Sequence, residues 1–370
     1  MSIQVSASSL SSRLARLAAL AVFLPLAACA ADAGDTGETS EQGTLGQTKE
    51  ALASAAWAWG FAWVNPSSAI DPTYSFNSTS GANTYTGTNG SYAVTMNGLG
   101  LAGGTVQVVS YGAAATRCKV ASWYPSGGAQ IINVRCHDTS GALAASPFVV
   151  FFNKGTADYY KLAHLYFDGA SVPSGYSFNS SGSVNTVTRT GLGRYTASLP
   201  GLGIANASVH VTAYGSDARY CKILSWDTAS VNVRCNDNSG AAADSPFVLN
   251  FSGSTPRPGM IGGHAWIETA TTAPAPYQAN QHIVSCFAAA PVTVSGFRDV
   301  TYPDTRDGYT YPTMTLSTAY GDDGNFCKVL NWSTGATSYT PRTVCFTPSG
   351  AATTSKFTSS LMAGSWPGPC

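Results

Sequence analysis

CKVASW at 118–123, CKILSW at 221–226 and CKVLNW at 327–332 are three copies of one pattern, each following a Tyr-Gly and each preceding a second cysteine, Cys136, Cys235 or Cys345. Working outward, YSFNS at 74–78 returns at 176–180, NGLG at 97–100 returns as PGLG at 200–203, and SPF at 146–148 returns at 245–247. The offset between copies is 102 or 103 up to the first cysteine and 99 from the second cysteine on, so one local deletion separates repeat two from repeat one. Repeat three keeps Tyr320-Gly321, its Cys-to-Trp segment and Ser355-Lys356-Phe357, but lacks YSFN and carries an extra Cys286. Self-similarity at this period divides the folded part into repeats at 55–155, 156–256 and 257–370. Each reads as short runs rich in β-branched and aromatic residues, such as Val106-Gln107-Val108 and Val209-His210-Val211, punctuated by Gly, Asn, Ser and Pro. No convincing helical period follows residue 55. The expected fold is all-β, three tandem antiparallel β-sandwich domains of immunoglobulin-like or jelly-roll-like type.

The amino terminus bears on compartment. Arg13 and Arg16 precede an uncharged apolar stretch from Leu17 to Ala28, too short to span a bilayer and flanked as an export signal is. Its last residues, Leu26, Ala27, Ala28 and Cys29, resemble the lipobox of bacterial lipoproteins. That resemblance implies a signal peptide at 1–28, lipidation of Cys29 and, with several acyl chains, a stable membrane anchor. Ala30, rather than Asp, resembles the pattern sent on to an outer membrane or cell surface. Residues 29–54 are then the lipidated cysteine and a tether of Ala, Gly, Thr, Ser and Gln with five carboxylates. It has too little apolar surface to offset the entropy of ordering.

Of the 19 basic and 19 acidic residues, three and five lie in the first 54, leaving 16 against 14 in the folded part. A nucleic-acid binder carries a clear basic excess, so no nucleic-acid partner is expected. With Cys29 assigned to lipid, eight of the nine cysteines remain. Repeat equivalence pairs Cys118 with Cys136, Cys221 with Cys235 and Cys327 with Cys345, leaving Cys286 for Cys370. The absence of Cys-x-x-Cys or clustered Cys and His spacing argues against zinc.

Within the repeats the cysteine separations are 18, 14 and 18 residues. The difference is even, which preserves facing in a β-hairpin because side chains alternate with period two. With Cys118 opposite Cys136, one face takes Val120, Val134 and Ile132. The other takes Lys119 and Trp123 beside Arg135, and in repeat two Lys222 and Trp226 beside Arg234. Lys directly opposite Arg costs free energy unless an anion, a carboxylate or an aromatic face relieves it, so something should sit there. One reading is a shallow aromatic and cationic patch that accepts sugar rings or anionic polymer, repeated along a rod, the expected partners of the chain being polysaccharide or another envelope protein. The other is that the Trp side chains cover the Lys and Arg stems, or that a bulge reverses the parity and buries them. Leu224, Leu330 and Val344 favour burial.

Chemistry-bearing motifs are sparse. There is no Gly-x-Ser-x-Gly elbow, His-Glu-x-x-His or phosphate loop, and Glu268 is the one glutamate beyond the tether. Asp138, Asp237, Asp244, Asp304 and Asp307 stand in turn contexts, and Asp322-Asp323 in GDDG is too short a ligand set for calcium. His164 and His264 match Phe61, His137 matches Asn236 and Phe346, His210 matches Gln107 and Leu316, and His282 lies four residues before Cys286. No catalytic residue, metal or cofactor is expected. The combination YSFN, Tyr before GLG, Tyr-Gly, CKxxxW and a returning Cys followed by SPF or SKF resembles a repeat of exported bacterial proteins that have no assigned activity. The expectation is a surface lipoprotein acting in adhesion, envelope structure or ligand capture. The alternative is an extracytoplasmic hydrolase with repeats one and two as binding modules and repeat three as the active domain.

Overall fold

The computed structural model describes residues 58–154, 161–253, 261–269, 271–280, 290–296, 298–303 and 312–364. The export segment, Cys29, the tether, His282, Cys286, Asp304, Asp307 and Cys370 lie outside them. The fold is all-β, and 48–370 form one compact unit. Each repeat contributes two antiparallel layers of four strands, the outer layer of repeat three carrying a fifth, Ala352–Thr353, beside Ser338–Phe346. In repeat one the inner layer runs Ser75–Asn77, Ala58–Val64, Phe148–Lys154, Thr105–Ser110, and the outer layer runs Asn83–Thr88, Ser91–Asn97, Ala129–His137, Arg117–Ser126. Repeats two and three repeat this order, so the divergent third copy keeps the sandwich topology.

Its missing YSFN is also located. Tyr277-Gln278-Ala279-Asn280 takes the place of Tyr74-Ser75-Phe76-Asn77, with a 3-10 turn ending at the Tyr and a three-residue strand following in both. The Asn is retained because it ties chain segments together. The Asn77 side chain donates to the Asn97 carbonyl at 2.9 Å, and that of Asn280 to the Ala290 and Pro303 carbonyls, both at 2.7 Å.

Val94, Met96, Val106, Val108, Val120, Ile132, Val134, Phe148 and Phe152 fill the first sandwich. Each such side chain contributes about 1.5–3 kcal/mol when removed from water. The inner layers are buried on both faces: every residue of Thr105–Ser110, Ala207–Ala213 and Phe247–Gly253 is buried. Their second faces meet one another in a further core of Trp59, Phe61, Val149, Phe151, Leu162, Met314, Leu316 and Met362, drawn from all three repeats. Thr105–Ser110, Ala207–Ala213 and Thr313–Tyr320 also touch one another. The repeats therefore surround a shared axis instead of following one another along a rod.

Three disulfides, Cys118–Cys136, Cys221–Cys235 and Cys327–Cys345, join directly opposed residues of the three hairpins, with Cα atoms 4.0 Å apart. Closing loops of this length contributes about 3 kcal/mol each. In every hairpin the register slips two residues past the lysine, leaving Ala121, Leu224 and Leu330 as the extra residue of a bulge. Trp123 consequently lies opposite Ile132 and Trp226 opposite Val231. The expectation that Lys and Trp share one outward face is corrected here: one inserted residue turns over every side chain beyond it.

Candidate functional site

The recurring pattern of the repeats joins them to one another. Trp123 of repeat one sits among Tyr166, Tyr176 and Tyr214 of repeat two, with ring centroids 5.4, 5.4 and 5.7 Å away. Trp226 of repeat two sits among Trp266, Tyr277 and Tyr320 of repeat three at 6.0, 5.8 and 5.6 Å. Trp332 of repeat three returns to Trp63, Tyr74 and Tyr111 of repeat one at 6.1, 5.4 and 4.9 Å. The cage residues occupy equivalent positions in the three copies, so the contacts close a ring. All nine pairs are edge-to-face, the geometry favoured by the ring quadrupole, worth about 0.5–1.5 kcal/mol per pair beyond burial.

The Tyr-Gly of each repeat is the backbone half of the same joint. Gly215 N donates to Val120 O, Gly321 N to Ile223 O and Gly112 N to Val329 O, each at 2.9 Å. The three glycines have φ of +110°, +112° and +96°, a region where a side chain would be strained. A short parallel bridge forms at every junction, Tyr214 with Val120, Tyr320 with Ile223 and Tyr111 with Val329.

The lysine of CKxxxW is the third element. Lys119 is 4% exposed and its Nζ lies 2.7 Å from Asp217 of the next repeat. Lys222 is 1% exposed, 2.5 Å from Asp323 of the next repeat. Burial pulls both ammonium groups below the usual lysine range, with the aspartates pulling back. At the third junction the aspartate position is Ala114. Lys328, fully buried, instead donates to the Ala114 carbonyl at 2.7 Å and the Thr116 hydroxyl at 3.1 Å, and burial pushes it down to about 7. Ring closure thus rests on a buried lysine that has no carboxylate partner among the described residues.

The residues expected to form an open patch are therefore placed as follows. Lys119, Trp123 and Lys222 are buried against the neighbouring repeat, and Trp226 is half-buried in its cage. Arg135 binds the Ser91 hydroxyl, and Arg234 binds Asn236 at 2.8 Å and the Asp322 carboxylate at 2.5 Å. What relieves the like charges is the next repeat's own carboxylates and rings. Of the cage partners, Tyr74 and Tyr176 open the recurring YSFNS motif, whereas Trp63, Tyr166, Trp266 and Tyr277 were not singled out from sequence. Their recurrence at equivalent positions in all three copies is the signal that marks them.

The remaining candidates serve the scaffold. Asp138 and Asp237 accept from backbone and hydroxyl groups two to four residues on, which holds both below the ordinary carboxylate range. Asp244 binds Arg189, Gly193 N and Tyr195 Oη and is pulled to about 2. Asp322 and Asp323 of GDDG clamp Arg194, Arg234 and Lys222. His210 bridges Thr318 and Ser360 at 2.9 and 2.8 Å, and burial drives it to about 3. His264 binds Asn206 and falls to about 4, His164 stacks on Phe178 and falls to about 3, and burial also lowers His137. Among the described residues no group of His, Cys, Asp and Glu is arranged to hold a metal.

On the ring axis lies a cavity of about 60 Å³, walled by Gln107, His210 and Leu316 and by the hairpin residues Arg117, Lys119 and Lys222. It belongs to all three repeats and not to repeat three. No known family matches the chain, and neither the curated proteins nor the solved structures contain a match.

Proposed function

We propose that this chain is an exported protein, anchored to the cell envelope through a lipid on Cys29, that works by binding and not by catalysis. It presents three fused sandwiches as one head, for adhesion, envelope structure or capture of a polysaccharide or another envelope protein. The three disulfides fit an exported chain. The observation that carries the reading is the closed ring. Each repeat spends its aromatic and charged signature on its neighbour, which leaves similar outer edges displayed around one axis. The outermost strands Asn83–Thr88 and Thr186–Gly191 alternate Thr outward and are mostly exposed, with one backbone edge unpaired. Such edges suit addition of an extended partner strand or contact with sugar hydroxyls, and equivalent sites on one head gain by avidity.

Two experiments test this. Full-length protein expressed in a diderm bacterium should partition with membranes and take up labelled fatty acid, and Cys29→Ser should release it to the soluble fraction. Equal fractionation of the two would refute anchoring. For binding, the chain from residue 30 should be applied to envelope polysaccharides and envelope extracts beside Thr86→Pro and Thr188→Pro, which block the outer edges. Retention unchanged by both substitutions would refute the edges as the contact surface.

A further inference from the structure

We propose that the axial cavity binds a small oxyanion, of the size of phosphate, sulfate or a short carboxylate, through the guanidinium of Arg117. The position before the first hairpin cysteine is Arg117 in repeat one, Tyr220 in repeat two and Phe326 in repeat three, and the ring brings these three together. The Arg117 carbon Cζ lies 4.6 Å from the centre of the Tyr220 ring and 4.9 Å from that of Phe326. Aromatic groups thus cover the guanidinium, leaving its N–H edge as the route for a ligand.

That edge is incompletely satisfied. Arg117 is 6% exposed; Nη2 donates to the Asp138 carbonyl at 3.3 Å and to the Asn238 side chain, whereas Nε and Nη1 are buried without a hydrogen-bond partner. Among the described residues no carboxylate forms an ion pair with it, while Lys119 and Arg219 share Asp217 and Lys222 has Asp323. Leaving a buried cation short of partners costs several kcal/mol. Nε–H and the two Nη1–H groups, on separate edges of the guanidinium, are the donors left to bind an oxyanion oxygen, Nη2 being used by Asp138 and Asn238.

The cavity has the right size. Of the cations that line it, Lys119, Arg219 and Lys222 are paired with Asp217 and Asp323, and Arg117 is left without an ion pair among the described residues, with Asp138 and Asp237 acting on it from farther off. The cavity volume of about 60 Å³ is several times the 10–15 Å³ that one water needs, which suits a tetrahedral oxyanion and excludes a nucleotide or sugar chain.

The test is calorimetry and thermal unfolding of the chain from residue 30 with inorganic phosphate, sulfate and acetate, against sodium chloride at matched ionic strength. Saturable binding of one oxyanion per chain, with a rise in Tm that chloride does not reproduce, is expected. The three anions distinguish a phosphate or sulfate site from a carboxylate site. Arg117→Gln, which removes the charge, should weaken binding at least 10-fold, and Arg117→Lys, which keeps the charge but loses the planar Nε–H and Nη1–H donors, should weaken it comparably. Binding unchanged in either folded variant, or no saturable binding up to 10 mM, would overturn the proposal. If neither variant folds, modification of wild-type Arg117 by phenylglyoxal decides: slower modification with the bound anion supports the site, and an unchanged rate overturns it.

Discussion

Lys328 makes the third junction unlike the other two, and this yields a pH dependence of definite sign. Its ammonium is fully buried on the Ala114 carbonyl and Thr116 hydroxyl, and its folded pKa falls from lysine's ordinary 10.5 to about 7. Between those values the unfolded chain holds one more proton than the folded one, so stability must rise with pH across that window and gain nothing further above 10.5. The slope is about 1.4 kcal/mol per pH unit, giving about 2–3 kcal/mol from pH 7.5 to 9.5, or roughly 5 °C in Tm for a unit of this size. Lys119 and Lys222 are shifted in the same direction, so the diagnostic quantity is the difference between wild type and Lys328→Met. Methionine keeps most of the length and removes the charge, at the cost of about 1 kcal/mol for an unmet carbonyl. The assay is denaturant unfolding by tryptophan fluorescence at several pH values. The variant should match or exceed wild-type stability at pH 7.5, and its slope should be lower by about 1.4 kcal/mol per unit. Parallel pH profiles, or a wild-type profile that falls with pH, would refute the reasoning.

Asp217→Asn should cost about 2–3 kcal/mol in unfolding experiments by leaving Lys119 buried and unpaired, less than a fully buried pair because Asp217 is half-exposed, whereas Ala114→Asp should stabilise by supplying the carboxylate that the third junction lacks. A loss under 0.5 kcal/mol for the first, with destabilisation by the second, would contradict the role given to these pairs. Trp226→Ala should destabilise by about 2–4 kcal/mol, as expected for emptying a half-buried cage; a neutral effect would mean that the ring contacts do not hold the repeats. In acid, Asp244, held at about 2 by Arg189, Gly193 and Tyr195, contributes stability that is present above the ordinary carboxylate pKa of 3.8 and lost as pH falls toward 2. Asp244→Asn should therefore flatten that limb of the pH–stability curve.

The all-β class and the three described disulfides could be read from the sequence because both rest on local regularities, period-two alternation, turn residues and an even difference in cysteine spacing, whereas the strand order was left open between immunoglobulin-like and jelly-roll-like types. What failed was the side on which Trp123 lies. One bulged residue, Ala121, decides it, and nothing in the six-residue pattern marks a bulge, since Ala, Leu and Leu occupy that position. The like-charge contact of Lys119 with Arg135 correctly required a partner, but a pattern within one repeat cannot say that the partner is the next repeat. Two clues pointed there. Inner strands such as Phe148–Lys154 are apolar on both faces, more than one sandwich needs. The Tyr-Gly pair returns in all three copies although its glycine serves no turn within its own hairpin. The axial cavity was not legible, because Arg117, Tyr220 and Phe326 differ in chemistry and share only a position.

Closure of the three repeats into a ring is the claim on which the rest depends, and small-angle X-ray scattering of residues 48–370 tests it most directly. A compact unit of this length should give a radius of gyration of about 20 Å. Three sandwiches strung end to end, each of about 13 Å, would give about 30 Å, and that value would contradict the ring.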